Sequence, residues 1–270
     1  MIILAIALAL APVLALGMFV YLMDKYDREP LVWLVVAFIA GALSIYPAIE
    51  IERFFTTITI GRHYSDFGSL AIDAFLIVAL TEELVKFIIL RMLFYRKRFF
   101  TEPMNGIVYA VMLSLGFAAA ESFRWLLVSN NVYNSALIRS FTAVPAHFVF
   151  AVFMGYFMGK ARFTFSHRRA FLVFAGVFMA VLVHGTYDFF LLASWMPNGF
   201  NYLSFLFLAV SLVFSLKLIL RAQKRSPFVR RRKWRKNLEQ AQQQEFKDYL
   251  AGQKELLKKR VDQKRKKKKD

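Results

Sequence analysis

Apolar runs of about twenty residues recur along this chain, and they constrain its fold more than any other feature. A helix needs roughly 20 apolar residues to cross the hydrocarbon core of a bilayer, because each residue advances it by about 1.5 Å. The composition agrees, since 58% of the 270 residues are hydrophobic, more than soluble domains usually contain. The sequence therefore predicts an all-α, polytopic transmembrane helical bundle of about seven spans, near residues 2–23, 31–49, 69–94, 104–128, 137–159, 170–193 and 203–220.

The positive charge is concentrated at the C-terminus. Residues 221–270 contain 20 Lys or Arg and 6 Asp or Glu, whereas residues 1–220 contain 16 and 12. The chain is therefore predicted to divide into a membrane body, 1–220, and a basic tail, 221–270, that is partly helical or disordered. The positive-inside rule predicts an external N-terminus and a cytoplasmic tail. We expect the tail to contact anionic lipid and expect no nucleic-acid partner, because no recognition module accompanies the basic run.

Charged side chains inside the predicted spans are the most informative residues. A charge at the bilayer centre costs roughly 2.5–3.5 kcal/mol, so such a residue usually faces the bundle interior and has a function. The third span carries Glu82, Glu83 and Lys86, and helical spacing puts the lysine on the same face as the two acids. A purely structural ion pair needs one acid and one base. The additional carboxylate therefore favours a functional role.

Three later spans also carry polar groups. Glu121 follows a run of small residues that would let a neighbouring helix approach, and we expect Arg124 to pair with it. His147 lies in the fifth span, and in the sixth the spacing of His184 and Asp188 would let the carboxylate orient the imidazole. Helical rise puts all these groups in the middle to outer part of the membrane. Each alone is explained by helix packing, but together they predict one hydrated polar chamber.

Carboxylates and imidazoles without any cysteine indicate hydrolysis by an activated water molecule. In one version a glutamate deprotonates the water, and a histidine stabilises the oxyanion or protonates the leaving amine. This version requires no cofactor and is favoured, because Lys86 beside the glutamates disfavours a cation. In the alternative version His147, His184 and either Glu82 or Glu83 hold Zn²⁺, which lowers the pKa of its bound water.

The order of these motifs resembles that of a known protein family. Glu-Glu-x-x-Lys in one span, Phe-Ala-Ala-x-Glu in the next and one His in each of two later spans are similar to the PrsW family of bacterial membrane proteases. That family is related to the CAAX-processing and bacteriocin-immunity membrane proteases. Segments 24–30 and 102–110 also resemble it, although Asn105 stands where an acid is expected and Ser122 where Asn is expected. The resemblance covers about residues 20–195.

The resemblance implies an intramembrane endopeptidase of the bacterial inner membrane. Its implied substrate is a single-span membrane protein, of the type of an anti-sigma factor in envelope-stress signalling. The implied catalytic residues, followed by two supporting residues, are Glu82, Glu83, Glu121, His147, His184, Lys86 and Asp188. Two other functions stay open on the residues alone. One is a transporter or proton relay that uses the same groups, and the other is a non-catalytic membrane scaffold.

Overall fold

The computed structural model describes residues 2–58, 66–165, 167–193 and 199–266, and the regular elements in these ranges are all helical. This confirms the predicted all-α membrane bundle. Two segments with π-type hydrogen bonding, π1 and π2, lie on either side of the fifth helix. The elements in chain order are α1 (Ile2–Met23), α2 (Leu31–Leu43), α3 (Ile45–Ile58), α4 (Phe67–Ala71), π1 (Ile72–Ala79), α5 (Leu80–Leu90), π2 (Arg91–Tyr95), α6 (Pro103–Val128), α7 (Val132–Phe141), α8 (Ala143–Arg162), α9 (His167–Leu192), α10 (Tyr202–Lys224) and α11 (Phe228–Lys266).

Six helical stretches in the described ranges are long and apolar enough to cross a membrane. They are Ile3–Met23, Leu31–Ile58, Pro103–Val128, Val132–Arg162, His167–Leu192 and Tyr202–Lys224. The predicted third span, 69–94, corresponds to the continuous run from α4 through π1 and α5 to π2, in which α5 has 11 residues. The predicted count of about seven spans stays a prediction.

The second predicted span, 31–49, is interrupted at Ser44 between two helices. Helix α2 ends at Leu43, and α3 begins two residues later with Pro47 in its first turn, where the missing N–H costs little. The Ser44 hydroxyl between the helices donates to the carbonyl of Gly41 at 2.6 Å. Helix α3 continues to Ile58, nine residues beyond the predicted end of this span at 49. Residues 59–65 lie outside the described residues.

Helix α6 forms the centre of the bundle, and it crosses α8 in backbone contact. A Cβ atom on Gly106 would lie 2.4 Å from the carbonyl oxygen of Gly155. A Cβ atom on Gly159 would lie 2.0 Å from the carbonyl oxygen of Pro103. Small residues at a crossing let helix backbones approach closely in a membrane, where tight packing drives association. These glycines therefore fix the spacing between the helices that carry Glu121 and His147.

A second close crossing brings α2 against α6. A Cβ atom on Gly116 would lie 1.9 Å from the carbonyl oxygen of Phe38 in α2. This confirms that the small residues before Glu121 allow a neighbouring helix to approach. Because Glu121 follows this crossing by about one and a half turns of α6, packing at Gly116 positions the helix end that carries the acid.

The chain forms two compact units, Met1–Ser226 and Pro227–Asp270. In the second unit α11 has 39 residues, many of them charged. Its apolar side chains Trp234, Phe246 and Leu250 are exposed. The functional division predicted between 1–220 and 221–270 stays a prediction.

Candidate active site

Lys86 joins the two adjacent glutamates of α5. Its Nζ atom lies 3.0 Å from Glu82 Oε2 and 2.8 Å from Glu83 Oε1, and all three side chains are buried. The ammonium group also lies 4.1 Å from the ring centroid of Phe117, within the range of a cation–π contact. One cation thus compensates two carboxylates only in part. Further positive charge must come from other helices.

His184 of α9 supplies part of that charge by bridging two carboxylates. Its Nδ1 atom lies 3.1 Å from Glu83 Oε1, and its Nε2 atom lies 3.2 Å from Asp188 Oδ2. The ring stacks on Phe150 with a centroid distance of 4.3 Å and an interplanar angle of 14°. Because an ionised carboxylate only accepts hydrogen bonds, making both bonds requires a proton on each ring nitrogen. His184 in this arrangement is an imidazolium whose orientation is fixed from both sides.

His147 of α8 connects the lysine to Glu121 of α6. Its Nδ1 atom lies 3.3 Å from Lys86 Nζ, and its Nε2 atom lies 3.0 Å from Glu121 Oε2. An ammonium group only donates, so Nδ1 must accept, and the remaining proton lies on Nε2 and is donated to Glu121. The backbone carbonyl of His147 also accepts from the hydroxyl of Ser114 at 2.9 Å. The hydrogen-bond network therefore selects a single tautomer of this histidine.

Arg139 of α7 pairs with Glu121, in place of Arg124, the partner expected from the sequence. Its Nη2 atom lies 2.6 Å from Glu121 Oε2, and its Nε atom donates to the hydroxyl of Ser122 at 3.2 Å. The indole N–H of Trp125 donates to the other carboxylate oxygen of Glu121 at 3.2 Å. Donors from three helices, α6, α7 and α8, therefore bond to Glu121. Its negative charge is compensated by Arg139 on the neighbouring helix α7.

A cavity of about 350 Å³ connects these groups. Glu82, Glu121, His147, His184 and Asp188 line it. Further charged side chains at the cavity are Glu52, Asp73, Arg124 and Arg139, and apolar side chains form most of the remaining wall. Glu83 and Lys86 lie behind this layer and line a small adjoining void. The cavity is large enough for a short peptide segment and falls in the usual size range of ligand sites.

Comparison with known proteins decides the family. A family model described as the PrsW family intramembrane metalloprotease matches residues 29–216. The chain belongs to the PrsW family. Protease PrsW of Geobacillus kaustophilus (strain HTA426) is 37% identical to it over 188 residues, which cover 70% of this chain and 80% of that relative. Protease PrsW of Bacillus subtilis (strain 168) is 31% identical over 203 residues, which cover 74% and 89%. No solved structure matches the chain significantly.

Membership of the PrsW family confirms the resemblance seen in the sequence. The matched region, 29–216, begins nine residues after the predicted start at 20 and ends about twenty residues after the predicted end at 195. Together with the long apolar helices, it identifies the chain as a multi-pass membrane protein from a family of intramembrane proteases. The basic tail lies outside the matched residues.

The family description names a metal-dependent activity, and one group of side chains fits a metal ion. Among the described residues, Glu82, Glu83 and His184 each offer a ligand atom, and these atoms lie within 4.8 Å of one another. Oxygen and imidazole nitrogen are ligands that zinc accepts, and Glu83 Oε2 is buried without a hydrogen-bond partner. Asp188 is bonded to the second ring nitrogen of His184. A carboxylate in this position commonly orients a histidine that binds a metal. His147, included in the predicted zinc set, is instead bonded to Lys86 and Glu121.

The structure brings together all seven side chains singled out in the sequence, which come from α5, α6, α8 and α9. They are Glu82, Glu83, Lys86, Glu121, His147, His184 and Asp188. Sequence reasoning missed Arg139, although it falls inside the predicted fifth span, 137–159, because Arg124 lies one turn from Glu121 on the same helix. The available signal was an arginine inside a predicted apolar span.

Proposed function

We propose that this chain is an intramembrane endopeptidase that hydrolyses a peptide bond of a membrane-anchored protein. The observation that carries the proposal is the convergence of carboxylates and imidazoles from four separate helices on one cavity. Burying so many ionisable groups in a membrane protein is costly, and such groups usually mark a functional site. Membership of a protease family supports peptide-bond hydrolysis over the transporter and scaffold alternatives.

Glu82 is the general base in this proposal. It lines the cavity, whereas Glu83 is fully buried behind it and bonded to Lys86 and His184. Glu82 accepts a proton from the attacking water and returns it to the leaving amine, so the proton count balances over the reaction. Lys86 and Glu83 hold Glu82 and His184 in their relative positions.

Positive charge at the cavity stabilises the oxyanion that forms on the scissile carbonyl. His184 carries it at the inner wall, and Arg139 carries it next to Glu121. Charges that are already oriented in a water-poor site stabilise a developing anion strongly, because little reorganisation is needed during the reaction. His147 is fixed as a single tautomer between Lys86 and Glu121. It therefore holds the α5 groups of the site at a fixed distance from Glu121 of α6.

A zinc ion would be held by Glu82, Glu83 and His184, and when bound it would supply Lewis-acid polarisation and lower the pKa of its water to about 7. In that form Glu82 would be a ligand and His184 would lose its Nδ1 proton to become one, and His147 with Glu121 would be a pair at the cavity that can receive a proton. The family description supports this metal-dependent form more strongly than the sequence does, since Lys86 favoured a site without a cofactor.

The proposed substrate is a single-span membrane protein, and by resemblance an anti-sigma factor of envelope-stress signalling. The proposed location is the bacterial inner membrane, with the N-terminus outside and the basic tail in the cytoplasm near anionic lipid. Because the chain has no cysteine, introduced cysteines report topology cleanly. A membrane-impermeant maleimide should label Asn130→Cys but not Lys97→Cys on intact spheroplasts, and both side chains replaced are exposed.

Cleavage of candidate single-span proteins in proteoliposomes tests the activity. Fragments sequenced by mass spectrometry should appear with the wild type and with Glu50→Gln, an exposed glutamate paired only with Arg53 among the described residues. They should be absent with Glu82→Gln and with His184→Ala. Loss of cleavage on chelation, restored by added zinc, supports the metal-dependent form, and chelator-insensitive cleavage removes it. If no candidate yields a fragment while the protein transports ions, the endopeptidase proposal is wrong.

A further inference from the structure

A second polar cluster lies at the opposite end of α6 from the candidate active site. It contains residues of both segments, 24–30 and 102–110, that resemble the family in sequence. Neither segment has a role in the proposed hydrolysis. Asn105 and Glu121 are sixteen residues apart in one helix, so roughly 24 Å separates this cluster from the active-site acid along the helix axis. We call Asp24, Glu29 and Glu102 the acid cluster.

Hydrogen bonds tie the loop after α1 to the start of α6. The carboxylate of Glu29 accepts from the side-chain amide of Asn105 and from the hydroxyl of Tyr109. The backbone N–H of Glu29 donates to Asp24 Oδ2 at 3.1 Å. The backbone N–H of Glu102 donates to Asn105 Oδ1 at 2.6 Å, which caps the helix. Glu29 is therefore well supplied with donors.

The carboxyl groups of Asp24 and Glu102 have fewer hydrogen-bond donors than that of Glu29. Both side chains are fully buried, Asp24 Oδ1 has no hydrogen-bond donor, and the carboxyl group of Glu102 has the hydroxyl of Ser226 as a side-chain donor. The carboxyl group of Glu102 faces Asp24 and Ser226, which follows the last span. Two buried carboxylates that face each other can form a hydrogen bond only if one of them carries a proton.

The charged groups around this pair do not neutralise it. Glu29 and Asp27 add two further acidic groups next to the pair, and Asp27 Oδ2 accepts from the hydroxyl of Thr101 at 2.6 Å. Arg28 donates to the backbone carbonyl of Asp24 rather than to its side chain, and Arg225 donates to the hydroxyl of Tyr156. Among the residues that the structure describes, no cation forms an ion pair with either carboxyl group, so the compensating positive charge must be a bound ion or a proton.

The spacing of the acidic side chains favours a bound proton over a bound metal ion. Among the described residues, only Glu82, Glu83 and His184 bring three potential metal ligands within 4.8 Å of one another, so the acid cluster does not form a comparable ligand set. We propose that Asp24 and Glu102 share one proton in a carboxyl–carboxyl hydrogen bond. This pH-sensitive hydrogen bond joins the α1–α2 loop and the start of α6 to the end of the last span.

The pKa directions of these groups, which lie outside the membrane-spanning helices, agree with the geometry. Burial raises the pKa of Glu102 to about 8 and that of Asp24 to about 6, and it raises the pKa of Glu29 to about 7. A pKa that is higher in the folded than in the unfolded state means that the folded state binds the proton more tightly. The pair therefore shares one proton between about pH 6 and about pH 8, and below about pH 6 Asp24 is protonated as well. The stabilisation from the proton on Glu102 is fully present below about pH 4.5 and is lost as the pH rises through about 8.

Unfolding of the full-length protein in detergent, followed from about pH 5 to about pH 9, tests the proposal. One shared proton changes the unfolding equilibrium constant by up to about tenfold per pH unit in this range, with lower stability at high pH. Glu102→Gln keeps the size of the side chain and a permanent donor, so the pH dependence should flatten relative to the wild type. The exposed control Glu50→Gln should retain the wild-type dependence.

A second measurement on the wild type does not depend on any variant folding. Hydrogen exchange of residues 24–30 should accelerate as the pH passes about 8, after correction for the intrinsic pH dependence of exchange, while exchange in the α6–α8 core stays constant. The proposal is overturned if Glu102→Gln keeps the wild-type pH dependence. It is equally overturned if corrected exchange of the loop is the same at both ends of the pH range.

Discussion

Replacing Lys86 by Met removes the cation that two buried glutamates share. The side chain is 3% exposed, and those of Glu82 and Glu83 are 8% and 1% exposed, so water can replace the lost partner only at the cavity side of Glu82. Removing one member of a buried ion pair costs about 3–5 kcal/mol, because it leaves an uncompensated buried charge. We expect Lys86→Met to lower the free energy of unfolding by that amount, since methionine fills a similar volume.

A double-mutant cycle shows whether the cost comes from charge. Glu82→Gln combined with Lys86→Met leaves Glu83 with His184 as its cation, so the double variant should be more stable than the sum of the single effects by about 1–3 kcal/mol. Unfolding in mixed micelles with increasing SDS measures these differences. Lys217→Met is the matched control, because Lys217 is an exposed lysine of α10, and it should cost less than about 1 kcal/mol.

The result that refutes this reasoning is an additive cycle. If Lys86→Met costs the same with and without Glu82→Gln, the ammonium group does not compensate the glutamates. A Lys86→Met protein as stable as the Lys217→Met control would lead to the same conclusion. Activity is measured separately, because the lysine also fixes the tautomer of His147.

Three further predictions concern positioning and packing. Asp188→Asn should lower cleavage by roughly 10–100-fold with little effect on stability, because the amide no longer fixes the protonation of His184; unchanged kinetics would exclude this role. Arg139→Met should lower the free energy of unfolding by about 1–3 kcal/mol and reduce cleavage, because Glu121 loses its cation. The control Arg124→Met changes another arginine at the cavity and should leave both stability and cleavage unchanged. Gly155→Leu should destabilise by more than about 3 kcal/mol in SDS unfolding, since its Cβ would meet a backbone carbonyl at 2.4 Å; a stable variant would show that α6 and α8 can separate.

Much of the candidate site was readable from the sequence for an energetic reason. Ionisable groups are rare inside apolar spans, so Glu82, Lys86 and His184 stand out without any structural information. Helical spacing also predicted the contacts within one helix, such as the pairing of Lys86 with both glutamates and of His184 with Asp188.

Contacts between helices were not readable in the same way. The choice of Arg139 over Arg124 as the partner of Glu121 depends on where α7 crosses α6, and no spacing along the chain encodes that crossing. The π segments on either side of α5 are a second example, since a π turn adds a residue and rotates the following side chains by roughly 100° about the axis. A periodicity count over 69–94 assumes one continuous α-helix and misses both changes.

The sequence alone determined that this protein is a helical membrane bundle with acids and imidazoles at helix depths where lipid would exclude them. Its apolar runs and the high cost of intramembrane charge require that outcome whatever the packing. Only the tertiary structure decided which oxygen meets which nitrogen, because the backbone contacts of α6 with α2 and α8 set the distances between helices. Those distances separate the three side chains that can hold a metal from His147, and they bring Asp24 to Glu102 at the other end of the same helix.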